Sequence, residues 1–187
     1  GKNFSINKDL LKLHIELLCE SGLKQQRRIK EILQGSNEYP LNICLDICKK
    51  YMIKSAWAYL EFKQGNISAS INISYEELID TLKKGYIDRI EDEKEYVQRA
   101  LKDLLEYLLQ NTLSAESTWF KIMINIFKFF EDNLNRIKSE EEKQEFKKLG
   151  YNVTDQMLEN IFASFDSKDL MKVSGYHFIS LTPPLDC

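Results

Sequence analysis

The chain has 187 residues, 43% of them hydrophobic and 29% charged, with 26 basic against 29 acidic side chains and a net charge of −3. Seven glycines and three prolines are too few for a collagen-like, low-complexity or turn-dense all-β chain, and the charge balance lacks the basic excess of a nucleic-acid or anionic-membrane binder. No apolar run reaches the ~18 residues of a membrane span; the richest, Trp119 to Phe130, is interrupted by Lys121, Asn125 and Lys128.

The pattern that remains is helix after helix. Residues 8–20 set Leu10, Leu11, His14, Leu17 and Leu18 at helical spacing, and Gly22 interrupts them. Residues 24–34 predict one shorter helix with Ile29, Ile32 and Leu33 inward, stopped by Gly35. After a loop, Pro40 opens a helix over 41–51 carrying Leu41, Cys44, Leu45, Ile47 and Cys48. Residues 54–64 follow with Ala56, Trp57, Tyr59, Leu60 and Phe62; Gly65 stops that helix and Asn66 caps the next. The next, over 67–84, carries Ile67, Ile71, Tyr75, Leu78, Ile79 and Leu82 and ends at Gly85.

Residues 92–111 align Val97, Ala100, Leu101, Leu104, Leu105 and Leu108 on one face of a charged helix. Ser114 caps a helix over 115–134 that is apolar almost all round and is therefore expected to be buried between neighbours. The charged run 140–148 reads as a solvated or mobile element within 139–149. Thr154-Asp155 caps a further helix through Met157, Leu158, Ile161, Phe162 and Phe165. Asp166 or Ser167 caps a last short helix through Leu170, Met171 and Val173, and Pro183-Pro184 marks residues 174–187 as an irregular tail. The fold class is thus all-α: stacked antiparallel helix pairs, about nine to ten helices, recurring at roughly 35–45 residues as in an α-solenoid.

The sequence offers no chemistry-bearing constellation. Cys44 and Cys48 stand one helical turn apart on an apolar face and read as small buried hydrophobes. Cys19, Cys187 and His177 supply no second zinc-ligand pair at a matching spacing. His14 sits among leucines, and neither histidine has a visible catalytic partner. Phosphate-loop, dinucleotide and zinc-protease patterns are absent. The sequons at Asn3, Asn66, Asn72 and Asn152 read as composition and helix caps. Trp57, Tyr59, Trp119 and Phe120 are the large aromatics near turns, and helical spacing places them in the core rather than at a binding surface. No catalytic, cofactor-binding or metal-binding residue is assigned, no cofactor is expected, and the chain is not expected to be an enzyme.

One stretch is more specific. From Leu45 to Ile73 a helix ends at a turn bearing Tyr51, and the next helix carries Ala56 and the step Tyr59-Leu60-Glu61. The turn Gly65-Asn66 follows, then a helix opening on the small Ala69. This resembles the clathrin-heavy-chain-type repeat of vacuolar sorting proteins, which usually has Asp where Asn66 stands. The segment Ser114 to Met123, with Trp119-Phe120 starting an apolar helix, is similar to the vacuolar protein sorting-associated protein 8 family, subunits of the endosomal tethering complex CORVET.

The resemblance covers residues 42–173 and implies a single helical segment, 1–187, within a longer solenoid; the start at Gly1 without methionine agrees with such a slice. It implies a non-enzymatic scaffold in vesicle tethering, endosomal and vacuolar protein sorting and membrane fusion. Expected partners are other tethering-complex subunits and a Rab GTPase, with no nucleic acid and no transmembrane segment. Expected localisation is cytoplasmic, peripheral on endosomal or vacuolar membranes through the complex. Another clathrin-repeat sorting or coat subunit, or a generic TPR-like helical-repeat adaptor, is the alternative.

Overall fold

Short polar links break the chain into amphipathic segments, and the computed structural model, which describes residues 7–110 and 115–164, folds each of them as helix. In order these are α1 (Lys8–Glu20), α2 (Leu23–Gln26), α3 (Ile29–Gln34), α4 (Leu41–Lys50), α5 (Lys54–Lys63), α6 (Ile67–Leu82), a π-type turn (Lys83–Ile87), α7 (Glu91–Gln110), α8 (Ala115–Leu134) and α9 (Glu140–Ser164). Among the described residues no strand occurs and no helix is long and apolar enough to cross a membrane.

The helices pack chiefly on their neighbours in sequence: α4 on α5, α5 on α6, α6 on α7 and α8 on α9. Two adjacent apolar cores result. The first joins α1, α3, α4 and α5 around Ile15, Ile29, Cys44, Cys48 and Leu60. The second joins α6 to α9 around Leu78, Leu101, Leu104, Trp119 and Phe146. Helix α5 serves both, with Tyr59 and Leu60 turned to the first, Ala58 to the second, and Trp57 packed against each. The α7 face falls as its spacing predicts, and Val97, Ala100, Leu101, Leu104, Leu105 and Leu108 are all buried.

The turns closing α4 and α5 share one construction. After α4, Met52 takes a left-handed φ of 56° and the Ile53 N–H reaches back to the Cys48 carbonyl at 2.9 Å. After α5, Gly65 has φ of 83° and the Asn66 N–H reaches the Glu61 carbonyl at 2.9 Å. Both satisfy carbonyls that a helix end would otherwise leave unpaired.

Several expectations are corrected. Helix α1 buries Leu11, Ile15 and Cys19 and exposes Leu10, Leu13, His14 and Leu17, because it carries two apolar stripes and α4 selects the one bearing Ile15 and Cys19. The single helix expected over 24–34 is broken at Arg27-Arg28, where Arg27 turns toward α7. Pro40 stands at the cap position rather than in the first turn, and Leu41 is exposed.

Asn66 occupies the cap position of α6 without capping it: its side chain turns back to Glu61. Gly85 does not end the helix, which runs on as the π-type turn, and its missing Cβ admits the Lys94 backbone. Asn72 and Asn152 are mid-helical.

The last two helices differ most from expectation. Helix α8 buries Trp119, Ile122, Ile126 and Phe130 but exposes Ile124 and Phe127, so it is covered on one side, not all round. The segments expected separately over 139–149 and from Thr154 are one 25-residue helix. Phe146, Gly150, Val153, Met157 and Ile161 keep a single buried stripe across the join, and Phe146 has no exposure at all within the run expected to be solvated. Thr154 caps nothing; its hydroxyl donates to the Gly150 carbonyl at 2.9 Å. The caps assigned to Ser114, Asp166 and Ser167, the short helix through Val173 and the tail 174–187 lie outside the described residues, as do Asn3, His177 and Cys187.

Candidate interaction surfaces

The joint between α4, α5 and α6 is organised by one carboxylate. Glu61 is buried and accepts hydrogen bonds from Trp57 Nε1 at 3.1 Å and Asn66 Nδ2 at 2.7 Å, while Lys49 Nζ lies 2.8 Å away. Burial by itself pushes this carboxyl up; the hydrogen bonds from Lys49, Asn66 and Trp57 together outweigh it and hold Glu61 below the usual carboxylate range. Each donor comes from a different part of the joint, so the ionised carboxylate ties the end of α4, the body of α5 and the start of α6 together. The motif Tyr59-Leu60-Glu61 in the sequence assigns Glu61 no role. Its signal was the i, i+4 spacing from Trp57 and the adjacent Gly-Asn turn.

A second polar arrangement joins the two cores. Arg27 pairs with Glu93 and lies 3.4 Å over the Tyr96 ring, whose centre is 5.7 Å from the Arg99 guanidinium. Lys30 pairs with Asp103 at 2.5 Å with both side chains largely buried, and Arg99 reaches Glu31 at 3.0 Å. Arg27, Lys30, Glu31, Arg99 and Asp103 line a cleft of about 460 Å³ between α3 and α7. Three of its cations, Arg27, Lys30 and Arg99, are paired across it, so it is a seam between helices.

The thiols are structural. Cys19, Cys44 and Cys48 are buried and free, and burial pushes Cys44 up to about 11. At neutral pH Cys44 is therefore a protonated, unreactive thiol. Among the described residues no group of three His, Cys, Asp or Glu side chains converges as a metal site. Of the four aromatics, Tyr59 and Trp119 are buried and Trp57 and Phe120 half-buried, so none is a freely exposed anchor.

The exposed apolar surface lies elsewhere, on helices that pack mainly at opposite ends of the order of contacts. On α1, Leu10, Leu13 and Leu17 follow one another at helical spacing, 61%, 49% and 54% exposed. Between α8 and α9 an apolar groove of about 350 Å³ is walled by Phe127, Phe130 and Leu134 on one side and Phe146, Tyr151 and Leu158 on the other. Gly150 shapes it: a Cβ there would stand 3.0 Å from the Phe130 ring, which lies directly on the α9 backbone. Helical spacing in the sequence turns the α1 leucines and all of α8 inward, so neither surface is expected from it.

No protein family, curated protein or solved structure matches this chain.

Proposed function

We propose that the chain is a helical scaffold segment of a CORVET-like vesicle-tethering complex, acting in endosomal and vacuolar sorting through protein–protein contacts. The observation that carries the reading is the braced joint at Glu61, which falls within the stretch that resembles the clathrin-heavy-chain-type repeat. A scaffold built of consecutive helix pairs needs each joint held at a fixed angle, because small changes per repeat accumulate along a solenoid. Packing of helices on their sequence neighbours supports the same reading. In it, the leucine face of α1 and the α8–α9 groove are where further helices or other subunits stack. Contact with a Rab GTPase and peripheral association with endosomal or vacuolar membranes follow from membership of such a complex.

The second reading is another clathrin-repeat sorting or coat subunit, or a TPR-like adaptor, since a braced joint between helix pairs serves those equally. Affinity purification of the protein from its own cells, with the co-purifying chains identified by mass spectrometry, separates them. Recovery of tethering-complex subunits is expected. A set of coat subunits would favour the second reading, and recovery of neither would sink both.

A further inference from the structure

We infer that the leucine face of α1 docks a partner helix that carries lysine or arginine beside an apolar seam. The register points to a helix. Leu10, Leu13 and Leu17 are spaced three and four residues apart, run about 10 Å along the axis and are 49% to 61% exposed. This is the a, d, a spacing by which one helix seats its side chains between those of another. The face is separate from the one α1 gives its own core, where Leu11, Ile15 and Cys19 are buried.

Charge selects the occupant. At about 100° per residue, Asp9, Glu16 and Glu20 fall in one row along one edge of the leucines. Asp9 and Glu20 are exposed and Glu16 is half-buried. Asp9 and Glu16 hold no ion pair among the described residues, and Glu20 accepts a hydrogen bond from the Tyr51 hydroxyl at 2.5 Å. Lys8 and Lys12, the lysines of α1, lie beyond this row, on the side turned away from the leucines. The opposite edge carries His14, whose Nδ1 is 2.9 Å from the Tyr39 hydroxyl. Asp9 and Glu16 immediately precede Leu10 and Leu17, at the positions whose charges choose the partner in a two-helix seam. A helix with basic side chains in the facing row answers them.

A second copy of α1 does not. Antiparallel pairing would set Asp9 and Glu16 against the same acids, and parallel pairing would set them against His14 and Ser21. The presence of such a partner among neighbouring subunits rests on the scaffold reading; the affinity of the face for a basic helix does not.

The test titrates the full chain into two fluorescein-labelled designed helical peptides, followed by fluorescence anisotropy at low salt. Both carry the same three-leucine seam, flanked by lysine in one and by glutamate in the other. The lysine peptide is expected to bind at least about ten-fold tighter, with the preference shrinking as salt screens it. Asp9→Lys with Glu16→Lys is expected to reverse the preference. Should that pair not fold by circular dichroism, Glu16→Lys alone is expected to cut it at least about three-fold. Leu13→Ser, at an exposed position, is expected to weaken the lysine peptide at least about five-fold. Absence of binding, equal affinities, a preference that the charge changes leave in place, or binding indifferent to Leu13→Ser would each overturn the inference. So would a dimer of the unaltered chain in sedimentation equilibrium that Leu13→Ser dissociates, which would make a second copy the occupant. None of these results touches the scaffold reading, which stands or falls on the co-purifying subunits.

Discussion

Tyr107 shows what a single residue can conceal. Its ring is fully buried against Phe62, with centres 4.9 Å apart, and Lys30 Nζ lies 5.6 Å from its own centre, yet its hydroxyl finds no partner among the described residues. Burying an unpaired hydroxyl costs about 1–3 kcal/mol, so Tyr107→Phe is expected to raise stability by about 1 kcal/mol in urea unfolding. Met52 is a second such residue: a side chain in the left-handed region costs about 1–2 kcal/mol. Met52→Gly is expected to recover about 1 kcal/mol, less glycine's own entropic penalty, as a higher denaturation midpoint.

Glu61 acts in the opposite sense. Its folded value lies below the ordinary glutamate value of about 4.3, so its contribution is complete above that pH and is lost as the pH falls through the folded value. Glu61→Gln is expected to cost about 1–2 kcal/mol at neutral pH. The gap from wild type should then close as acid titrates the carboxyl, measured by denaturant unfolding across pH. None of these three effects was visible in composition or periodicity. The spacing of Tyr107, Met52 and Glu61 says which helix or turn they join, and only their neighbours say whether a hydroxyl or carboxylate is satisfied.

At the scale of the element, periodicity located the long helices well and misjudged where they start, stop and face. The α7 stripe and the bounds of α8 were legible because their apolar residues recur without competition. In α1 two stripes compete, and burial of Ile15 and Cys19 depends on α4, which periodicity within α1 cannot report. In α9, Thr154-Asp155 reads locally as a cap, yet the helix runs through it and through Gly150. Mid-helix glycine costs about 1 kcal/mol relative to alanine, and here the Phe130 ring takes the space a Cβ would need.

Trp119 anchors α8 with 1% exposure. Trp119→Ala is expected to cost about 3–5 kcal/mol in thermal or urea unfolding. An unchanged transition would contradict its place in the second core.

For the whole molecule, the question is what couples the two cores. Helix α5 does so through apolar packing, and the seam of Arg27, Lys30 and Arg99 with Glu93, Asp103 and Glu31 does so through charge. The Lys30–Asp103 pair is the most informative to break, because both side chains are largely withdrawn from water. Asp103→Ala leaves a buried ammonium unpaired and is expected to cost about 3 kcal/mol. The double change Lys30→Met with Asp103→Leu removes both charges and is expected to cost far less; equal costs in urea unfolding would show that the pair is not coupled.

By itself the sequence determined that this protein is built of helices, roughly where they lie, and which face of α7 enters a core. Those properties follow from local spacing, from glycine and proline punctuation, and from the free energy of burying an uninterrupted stripe. Tertiary structure alone decided which stripe of α1 is covered, that Arg27 and Lys30 point inward, that Glu61 braces a joint, and that α8 and α9 frame an apolar groove. Each of these depends on residues distant in sequence or on a neighbouring helix, and periodicity within one segment carries no information about what packs against it.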